Sequence, residues 1–341
     1  MSEADHSPTK SRWPLVAIPL AALAVALAPL PLEPRAHAVA VVFAMAVLAW
    51  LTEVVPLAVT SLVIPALLAV SGAVPVGKAF VGFGDPILFI FVGAFFMAAA
   101  MHRHGLDRRL AERLLGAPVF RGRPLVAFGA FALATAVLSM WVSNTATMAI
   151  MLPIFLGARA PGAEGERREA GILTLAYASS VGGMGMLVGS PPNAIATRFL
   201  DDALPERGFG YVDWAMFGFP ASLVMVAVLY VSFLLRGGRK LKLDEPQATM
   251  RGPLSRGEKI TLACFLLAVA GWSIPGVAKA AGIPYAALVS DRLHPGTVAL
   301  LAALPLFFLR DEKKGPVLPW SVGARIDWGI IMLFAGGISL G

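Results

Sequence analysis

The chain has 341 residues, of which 57% are hydrophobic and only 14% are charged, and its mean hydropathy is +0.75. Soluble globular domains are about 45–50% apolar and about 25% charged, so this composition excludes an ordinary cytosolic enzyme, a disordered chain and a disulfide scaffold. In a soluble protein, a net charge of +7 would suggest nucleic-acid binding. In a membrane protein, the positions of the basic residues instead indicate which loops face the cytoplasm, so we expect no nucleic-acid partner.

Ten apolar segments follow one another along the chain. A membrane-spanning helix needs about 20 apolar residues, so the chain has material for eight or nine spans and is predicted to be an all-α polytopic membrane protein. The first segment could instead be a secretory signal, but the cleavage-like run Ala36-His37-Ala38 lies further from the start than is usual, which favours an uncleaved helix. The segments are 14–32, 36–51, 55–73, 86–102, 124–157, 170–200, 212–235, 259–275, 294–309 and 327–341.

Segment 124–157 is too long for one ordinary span. Its 34 residues carry no charge, and as a straight helix they would extend about 51 Å, against a hydrocarbon core of about 30 Å. Its middle holds the polar run Ser143-Asn144-Thr145, which is costly in hydrocarbon unless its groups find partners. The segment is therefore either one long tilted helix or a re-entrant hairpin that returns to the side from which it entered.

The distribution of basic residues favours the hairpin. With the N-terminus inside and a hairpin at 124–157, the cytoplasmic loops carry 22 of the 28 lysine and arginine residues; if the segment crosses, they carry only 12. Cytoplasmic loops are enriched in lysine and arginine, so the hairpin is the better prediction. In this topology the cytoplasmic loops are 1–13, 52–54, 103–123, 158–169, 236–259 and 310–326.

Two apolar segments begin alike and suggest an internal repeat. Asp85 precedes the segment that starts at Pro86, and Asp327 precedes the last segment; both aspartates suit helix N-caps. On the hairpin topology the two segments enter from opposite sides, which predicts an inverted repeat. The partner of the Ser-Asn-Thr run would then fall at roughly position 385, so we expect the second repeat to be incomplete in these 341 residues.

Two polar interruptions could bind ions. The first is Ser143-Asn144-Thr145 and the second is the run 189–193, Gly-Ser-Pro-Pro-Asn, whose tandem prolines predict a broken helix within 170–200. Freed carbonyls and hydroxyl or amide oxygens suit Na⁺, and half-helices starting at Ala146 and Ala194 would direct their positive ends at the breaks, where an anion is favoured. The competing interpretation, close helix packing, is better for Ser179 and Ser180.

Neither interruption contains a lysine or arginine. An anionic substrate would therefore be held by hydroxyls, amides, helix ends and the bound cation, which predicts tight coupling between the two ligands. Enzyme signatures are weak: Gly182-Gly183-Met184-Gly185 lies within a span without a Walker lysine, and there is no His-Glu-x-x-His. We predict that the protein is not an enzyme.

Three motifs resemble those of the divalent anion:sodium symporter family, which includes bacterial dicarboxylate, citrate and sulfate transporters. They are the run 51–57 (Leu-Thr-Glu-Val-Val-Pro-Leu), the Ser-Asn-Thr run with the following 146–153, and the run 188–195 around the tandem prolines. The resemblance implies two inverted repeats, scaffold and transport domains, a homodimer and an elevator-type motion. By motif it implies sodium ligands Ser139, Ser143, Asn144 and Gly189, and substrate-site residues Asn144, Thr145, Ser190, Pro191, Pro192 and Asn193.

The domain organisation expected from these observations has four parts. They are a cytoplasmic tail (1–13), scaffold helices of the first repeat with a basic interfacial loop (14–123), a transport domain (124–200) with the re-entrant hairpin 124–157 and the broken helix 170–200, and a linking span with the truncated start of the second repeat (201–341). The expected location is the bacterial plasma membrane, with several spans and a cytoplasmic N-terminus.

The predicted function is sodium-coupled symport of a small divalent anion, most simply a C4 dicarboxylate such as succinate. Na⁺ is the coupling ion, and no other metal or cofactor is expected. The alternatives are a sodium-independent dicarboxylate exchanger, a sulfate transporter, or an inactive truncated membrane fragment.

Overall fold

The computed structural model describes residues 13–115, 123–157, 166–204, 209–236, 252–284 and 292–341. Within these ranges the chain is helical and has no β-strand, only an isolated bridge between Arg310 and Pro316. This confirms the predicted all-α class. Four of the described helices are long and apolar enough to cross a membrane, namely Pro34–Thr52, Pro86–His104, Tyr211–Leu235 and Arg256–Ala280.

The helices follow the predicted apolar segments closely. In chain order they are α1 Pro14–Leu27, α2 Pro34–Thr52, α3 Leu57–Val70, α4 Val76–Ala79, α5 Pro86–His104, α6 Leu106–Leu115, α7 Pro124–Ser139, α8 Asn144–Gly157, α9 Glu166–Gly183, α10 Pro191–Ala203, α11 Tyr211–Leu235, α12 Arg256–Ala280, α13 Pro295–Ala303, α14 Pro305–Phe308, α15 Trp320–Gly323 and α16 Trp328–Leu340.

Side-chain caps mark several helix starts. The Asp85 carboxylate accepts a hydrogen bond from the N–H of Ile87 at 2.9 Å, and that of Asp327 accepts one from Ile330 at 3.1 Å, so both predicted N-caps are present. Each satisfies a donor that the first helical turn leaves without a carbonyl partner. The inverted relation of α5 and α16 stays a prediction.

The chain divides into two compact units, and the first comprises Met1–Leu88 with Asp327–Gly341. Its core lies between α2 and α3, around Val42, Ile64 and Leu68. Helix α16 packs closely on α3, because a Cβ at Gly336 would lie only 2.6 Å from the Cβ of Ser61.

The second unit, Phe89–Ile326, contains segment 124–157, for which the sequence leaves open one long helix or a hairpin. Phe128 lies near the start of α7 and Phe155 near the end of α8, yet their ring centroids are 5.8 Å apart. In a continuous helix these residues would be separated by about 40 Å. The chain therefore reverses over residues 140–143, and the segment is a helical hairpin, not one long helix.

Three predicted cytoplasmic loops meet at one end of this unit. His104 Nε2 lies 2.9 Å from the Val317 carbonyl, the Arg109 side chain lies 2.6 Å from Glu258, and Glu312 accepts hydrogen bonds from the start of α12. A crossing segment at 124–157 would have placed loop 103–123 at the opposite end from the other two, so these contacts agree with the hairpin topology. Residues 116–122, 158–165 and 237–251 of the basic loops lie outside the described ranges.

The predicted broken helix is present, but its break lies earlier than expected. Helix α9 ends at Gly183, a 3₁₀ turn covers Leu187–Gly189, and α10 begins at Pro191. The expected starts of the half-helices at Ala146 and Ala194 are wrong; they begin at Asn144 and Pro191. Proline is favoured in the first helical turn, where its missing N–H has no partner to lose, so the tandem prolines start α10 instead of interrupting it.

Candidate functional site

The tip of the hairpin is held by its own polar side chains. Ser139, the last residue of α7, is fully buried, and its hydroxyl donates a hydrogen bond to Asn144 Oδ1 at 2.7 Å. Ser143 precedes α8, and its Oγ accepts a hydrogen bond from the N–H of Ala146 at 3.3 Å. These contacts fix the short turn between the two helices, with the Asn144 side chain directed at the end of α7.

Gly189 brings the break in the second segment against this tip. A Cβ at Gly189 would lie 2.7 Å from the carbonyl oxygen of Gly183, 2.8 Å from that of Met140 and 3.0 Å from that of Ser139. Real Cβ atoms do not approach backbone oxygens this closely, so only glycine fits. Three carbonyl oxygens from two separate segments thus surround one buried Cα.

Asn144 Oδ1 belongs to the same group of oxygens. It would lie 2.6 Å from a Cβ at Gly183, the residue whose carbonyl faces Gly189. The structure therefore brings together Ser139, Asn144 and Gly189, three of the four predicted sodium ligands, and places Ser143 beside them in the same turn. We call the group formed by the carbonyls of Ser139, Met140 and Gly183, the Ser139 hydroxyl and Asn144 Oδ1 the oxygen cluster.

The oxygen cluster is chemically suited to a hard monovalent cation. All of its members are neutral carbonyl, amide or hydroxyl oxygens, the ligand type that unwound membrane helices offer to Na⁺. Within the described ranges there is no group of three or more His, Cys, Asp or Glu side chains that could hold a metal ion. Such groups are what transition-metal sites require, whereas Na⁺ needs none of them.

The predicted anion contacts lie at two helix starts. The N–H groups of Asn144 and Thr145 open α8 and have no carbonyl within the helix to bond, and the Thr145 side chain is exposed. At α10, Pro191 and Pro192 lack an N–H, which removes two of the donors that a helix start normally presents. Half-buried Ser190, just before Pro191, supplies a hydroxyl at that position.

Asn193 is turned toward the backbone. It is only 5% exposed, and its side-chain nitrogen donates to the carbonyls of Gly183 at 2.7 Å and Met186 at 2.9 Å. Both amide hydrogens are therefore used inside the protein, and they tie the segment 184–190 to the end of α9. Grouping Asn193 with the substrate residues stays a prediction, and its observed contacts give it a positioning role.

Ser179 belongs to the site geometry but lies outside both motifs. It is fully buried on α9, and its hydroxyl donates to the Asn144 carbonyl at 2.8 Å. The sequence favoured a packing role, because small residues in membrane helices commonly permit close approach. The contact joins residues 35 positions apart, so no local spacing pattern could have predicted it.

Aromatic side chains hold the tip and the break against α11 and α12. Trp141, in the hairpin turn, packs edge-on against Phe265 with ring centroids 4.9 Å apart, and Tyr211 stacks on Trp272 at 5.3 Å. Trp214 donates its indole N–H to the Met184 carbonyl at 3.0 Å. Tyr211, Trp214 and Trp272 are buried and Trp141 and Phe265 are half-buried, and together these large rings supply rigid packing around a site whose own residues are small.

The comparisons with known proteins agree with these features. Residues 47–341 match the citrate transporter family. An uncharacterized transporter from Haemophilus influenzae is 32% identical over 324 residues, which cover 91% of this chain and 65% of that relative.

Two other relatives are named sodium-dependent dicarboxylate transporter SdcS. The one from Staphylococcus saprophyticus is 31% identical over 319 residues, and the one from Staphylococcus aureus is 30% identical over 322 residues. Each alignment covers 85% of this chain and 59% of the relative. The chain thus spans less than two thirds of the length of the relatives it matches. The family and these relatives are transporters and not enzymes. The chain belongs to the citrate transporter family, in agreement with the resemblance of its motifs to the divalent anion:sodium symporter family, and is embedded in the membrane.

Proposed function

We propose that this protein is a secondary active transporter that couples the uptake of a small divalent anion to Na⁺. The proposed substrate is a C4 dicarboxylate such as succinate. The oxygen cluster is the observation that carries the proposal, because neutral oxygens from two interrupted segments converge beside the start of α8. Na⁺ would occupy the oxygen cluster, and one carboxylate of the anion would lie against Asn144, Thr145 and Ser190.

Electrostatics gives the reason for coupling. Neither motif contains a lysine or arginine, so the positive charge available to the anion comes from helix N-termini, each worth about half an elementary charge, and from Na⁺. Two opposite unit charges about 4 Å apart at an effective dielectric constant of about 20 attract by about 4 kcal/mol. An attraction of that order makes the binding of each ion depend strongly on the other.

The names of the relatives support the substrate class. The staphylococcal relatives are called sodium-dependent dicarboxylate transporters, and the matching family is described as citrate transporters. Succinate and citrate should therefore be compared directly. Sulfate tests the remaining divalent-anion alternative.

Transport by the full-length protein in proteoliposomes tests the proposal. Labelled succinate is supplied outside with either an inward Na⁺ gradient or the same concentration of K⁺, and unlabelled citrate or sulfate is added as competitor. We expect uptake with Na⁺ and background uptake with K⁺. Equal uptake in both salts contradicts sodium coupling, and uptake that requires succinate preloaded inside identifies an exchanger.

The Asn144→Ala variant tests whether the site lies at the hairpin tip. The change removes the oxygen that accepts from Ser139 and faces Gly183, so we expect uptake to fall to background while the protein still inserts. Thr135→Ala is the matched control, because Thr135 is a buried hydroxyl of the same hairpin that bonds only the Phe131 carbonyl of its own helix in the described contacts. Retained uptake in Asn144→Ala would show that the tip serves packing alone.

The proposed location is the bacterial plasma membrane, with the N-terminus and the basic loops in the cytoplasm. A cysteine at Lys313 in a cysteine-free background should react with a membrane-impermeant maleimide only in inside-out vesicles, since exposed Lys313 lies in loop 310–326. Labelling of intact cells would reverse the orientation. The proposed homodimer and elevator-type motion come from the family resemblance, and light scattering of the purified protein tests the dimer.

A further inference from the structure

Ser179 joins α9, the helix that precedes the break, to the tip of the hairpin. Its Oγ lies 2.8 Å from the Asn144 carbonyl and 3.3 Å from Ser139 Oγ, and the side chain is fully buried. Neither predicted motif includes it. It is nevertheless the side chain of α9 that reaches the first residue of α8, where both proposed ligands meet.

The two serine hydroxyl protons of this group are both committed. Ser139 donates its only hydroxyl proton to Asn144 Oδ1, and Ser179 donates its own to the Asn144 carbonyl, which can only accept. The 3.3 Å contact between the two hydroxyl oxygens is therefore left without a proton to share. Two oxygen atoms that face each other with lone pairs are stabilised by a cation nearby.

The backbone of α9 supports the same arrangement. A Cβ at Gly182 would lie 2.3 Å from the Ala136 carbonyl oxygen, and one at Gly183 would lie 2.6 Å from Asn144 Oδ1. Residues 179 and 183 are one turn apart and share a face of the helix. This face of α9 therefore meets the hairpin at its closest approach, and Ser179 is the polar anchor of that contact.

We propose that Ser179 is a positioning residue of the cation site. By holding the Asn144 carbonyl, it sets the first turn of α8 and so keeps Asn144 Oδ1 and the Ser139 hydroxyl in place within the oxygen cluster. The inference rests on the proposed function, because it assigns Ser179 to the site in which Na⁺ would bind. Its effect should appear in the apparent affinity for Na⁺, and it should be small once saturating Na⁺ fills the cation site.

The test compares Ser179→Ala with Ser180→Ala in the full-length protein in proteoliposomes. Ser180 is the matched control, since it is exposed and bonds the Ala176 carbonyl of its own helix. For Ser179→Ala we expect the Na⁺ concentration for half-maximal uptake to rise about tenfold, the size of effect of one net hydrogen bond, with the succinate KM at saturating Na⁺ unchanged within about twofold. Ser180→Ala should behave as wild type.

Ser179→Cys separates positioning from packing. The thiol fills the space of the hydroxyl but is a weak donor, so this variant should show the same loss of Na⁺ affinity without leaving a cavity. Stabilisation of the purified protein by Na⁺ without any anion, measured as the rise in melting temperature, gives a second readout and should weaken in both variants. If the Na⁺ dependence is unchanged in both, or if Ser180→Ala shifts it equally, the inference is wrong. A wild-type protein that ignores Na⁺ would instead overturn the proposed function.

Discussion

Arg109 and Glu258 form a buried ion pair that joins α6 to the first turn of α12. The guanidinium Nε lies 2.6 Å from Glu258 Oε1, and the two side chains are 10% and 3% exposed. Arg109 also donates to the Gly252 carbonyl at 2.9 Å, while Glu258 accepts from the N–H of Ser255 at 2.7 Å in a capping box. The pair thus connects loop 103–123 with the segment before α12 at one end of the second unit.

Breaking this pair should destabilise the protein strongly. Arg109→Met leaves the Glu258 carboxylate buried without its cation, a change that typically costs about 3–5 kcal/mol. We expect a clear fall in the melting temperature of the purified protein. In Arg109→Met/Glu258→Gln no uncompensated charge remains, so most of the loss should be recovered. A double variant as unstable as the single one would mean that the arginine acts through packing.

Gly189→Ala should abolish sodium-coupled uptake. The new Cβ would meet three carbonyl oxygens at 2.7–3.0 Å, and these can move only if the hairpin tip or the end of α9 moves. Uptake should fall at least about 100-fold, since misplacing a binding group by about 1 Å can cost that much. Gly157→Ala in the same hairpin is the control, because nothing lies within 4 Å of its Cβ position. Normal uptake by Gly189→Ala would remove Gly189 from the site.

Asn193→Asp tests the positioning role of that amide. A carboxylate cannot donate, so it would face the carbonyls of Gly183 and Met186 with two lost hydrogen bonds and a buried negative charge. We expect lower thermal stability and loss of uptake together. Loss of uptake with unchanged stability and unchanged Na⁺ response would instead indicate direct contact with the substrate.

Glu312 should give the protein a pH-dependent contribution to stability. The pKa of Glu312 is lowered below the usual 4.5, first by a hydrogen bond from its own backbone N–H and then by those from Arg256 and Gly257, while desolvation and the charge of Asp311 oppose this shift. A lowered folded-state pKa means that the contribution is complete above pH 4.5 and is lost as the pH falls through the folded value. The melting-temperature difference between wild type and Glu312→Gln should therefore be present at pH 7 and vanish in acid. A difference that persists there would contradict this account, and Lys313→Gln serves as the control.

The sequence predicted the helices well because apolar length and proline position determine them locally. It also predicted the hairpin, since the sides on which basic loops lie depend on whether 124–157 crosses. The sequence places two helix starts at Ala146 and Ala194, whereas the structure has them at Asn144 and Pro191. For Pro191 the reason is that tandem prolines also suit a first helical turn, where a missing N–H costs no hydrogen bond. The link from Ser179 to Asn144 could not be predicted, because it depends on how closely α9 approaches the hairpin.

The central claim is that Na⁺ in the oxygen cluster holds the anion. The most direct test measures succinate binding to the purified full-length protein at increasing Na⁺, with K⁺ keeping the ionic strength constant. We predict no measurable succinate binding in K⁺ alone. We also predict that Na⁺ raises the affinity for succinate by the same factor by which succinate raises the affinity for Na⁺, as thermodynamic linkage requires. Succinate binding of equal affinity in K⁺ and Na⁺ would contradict the account.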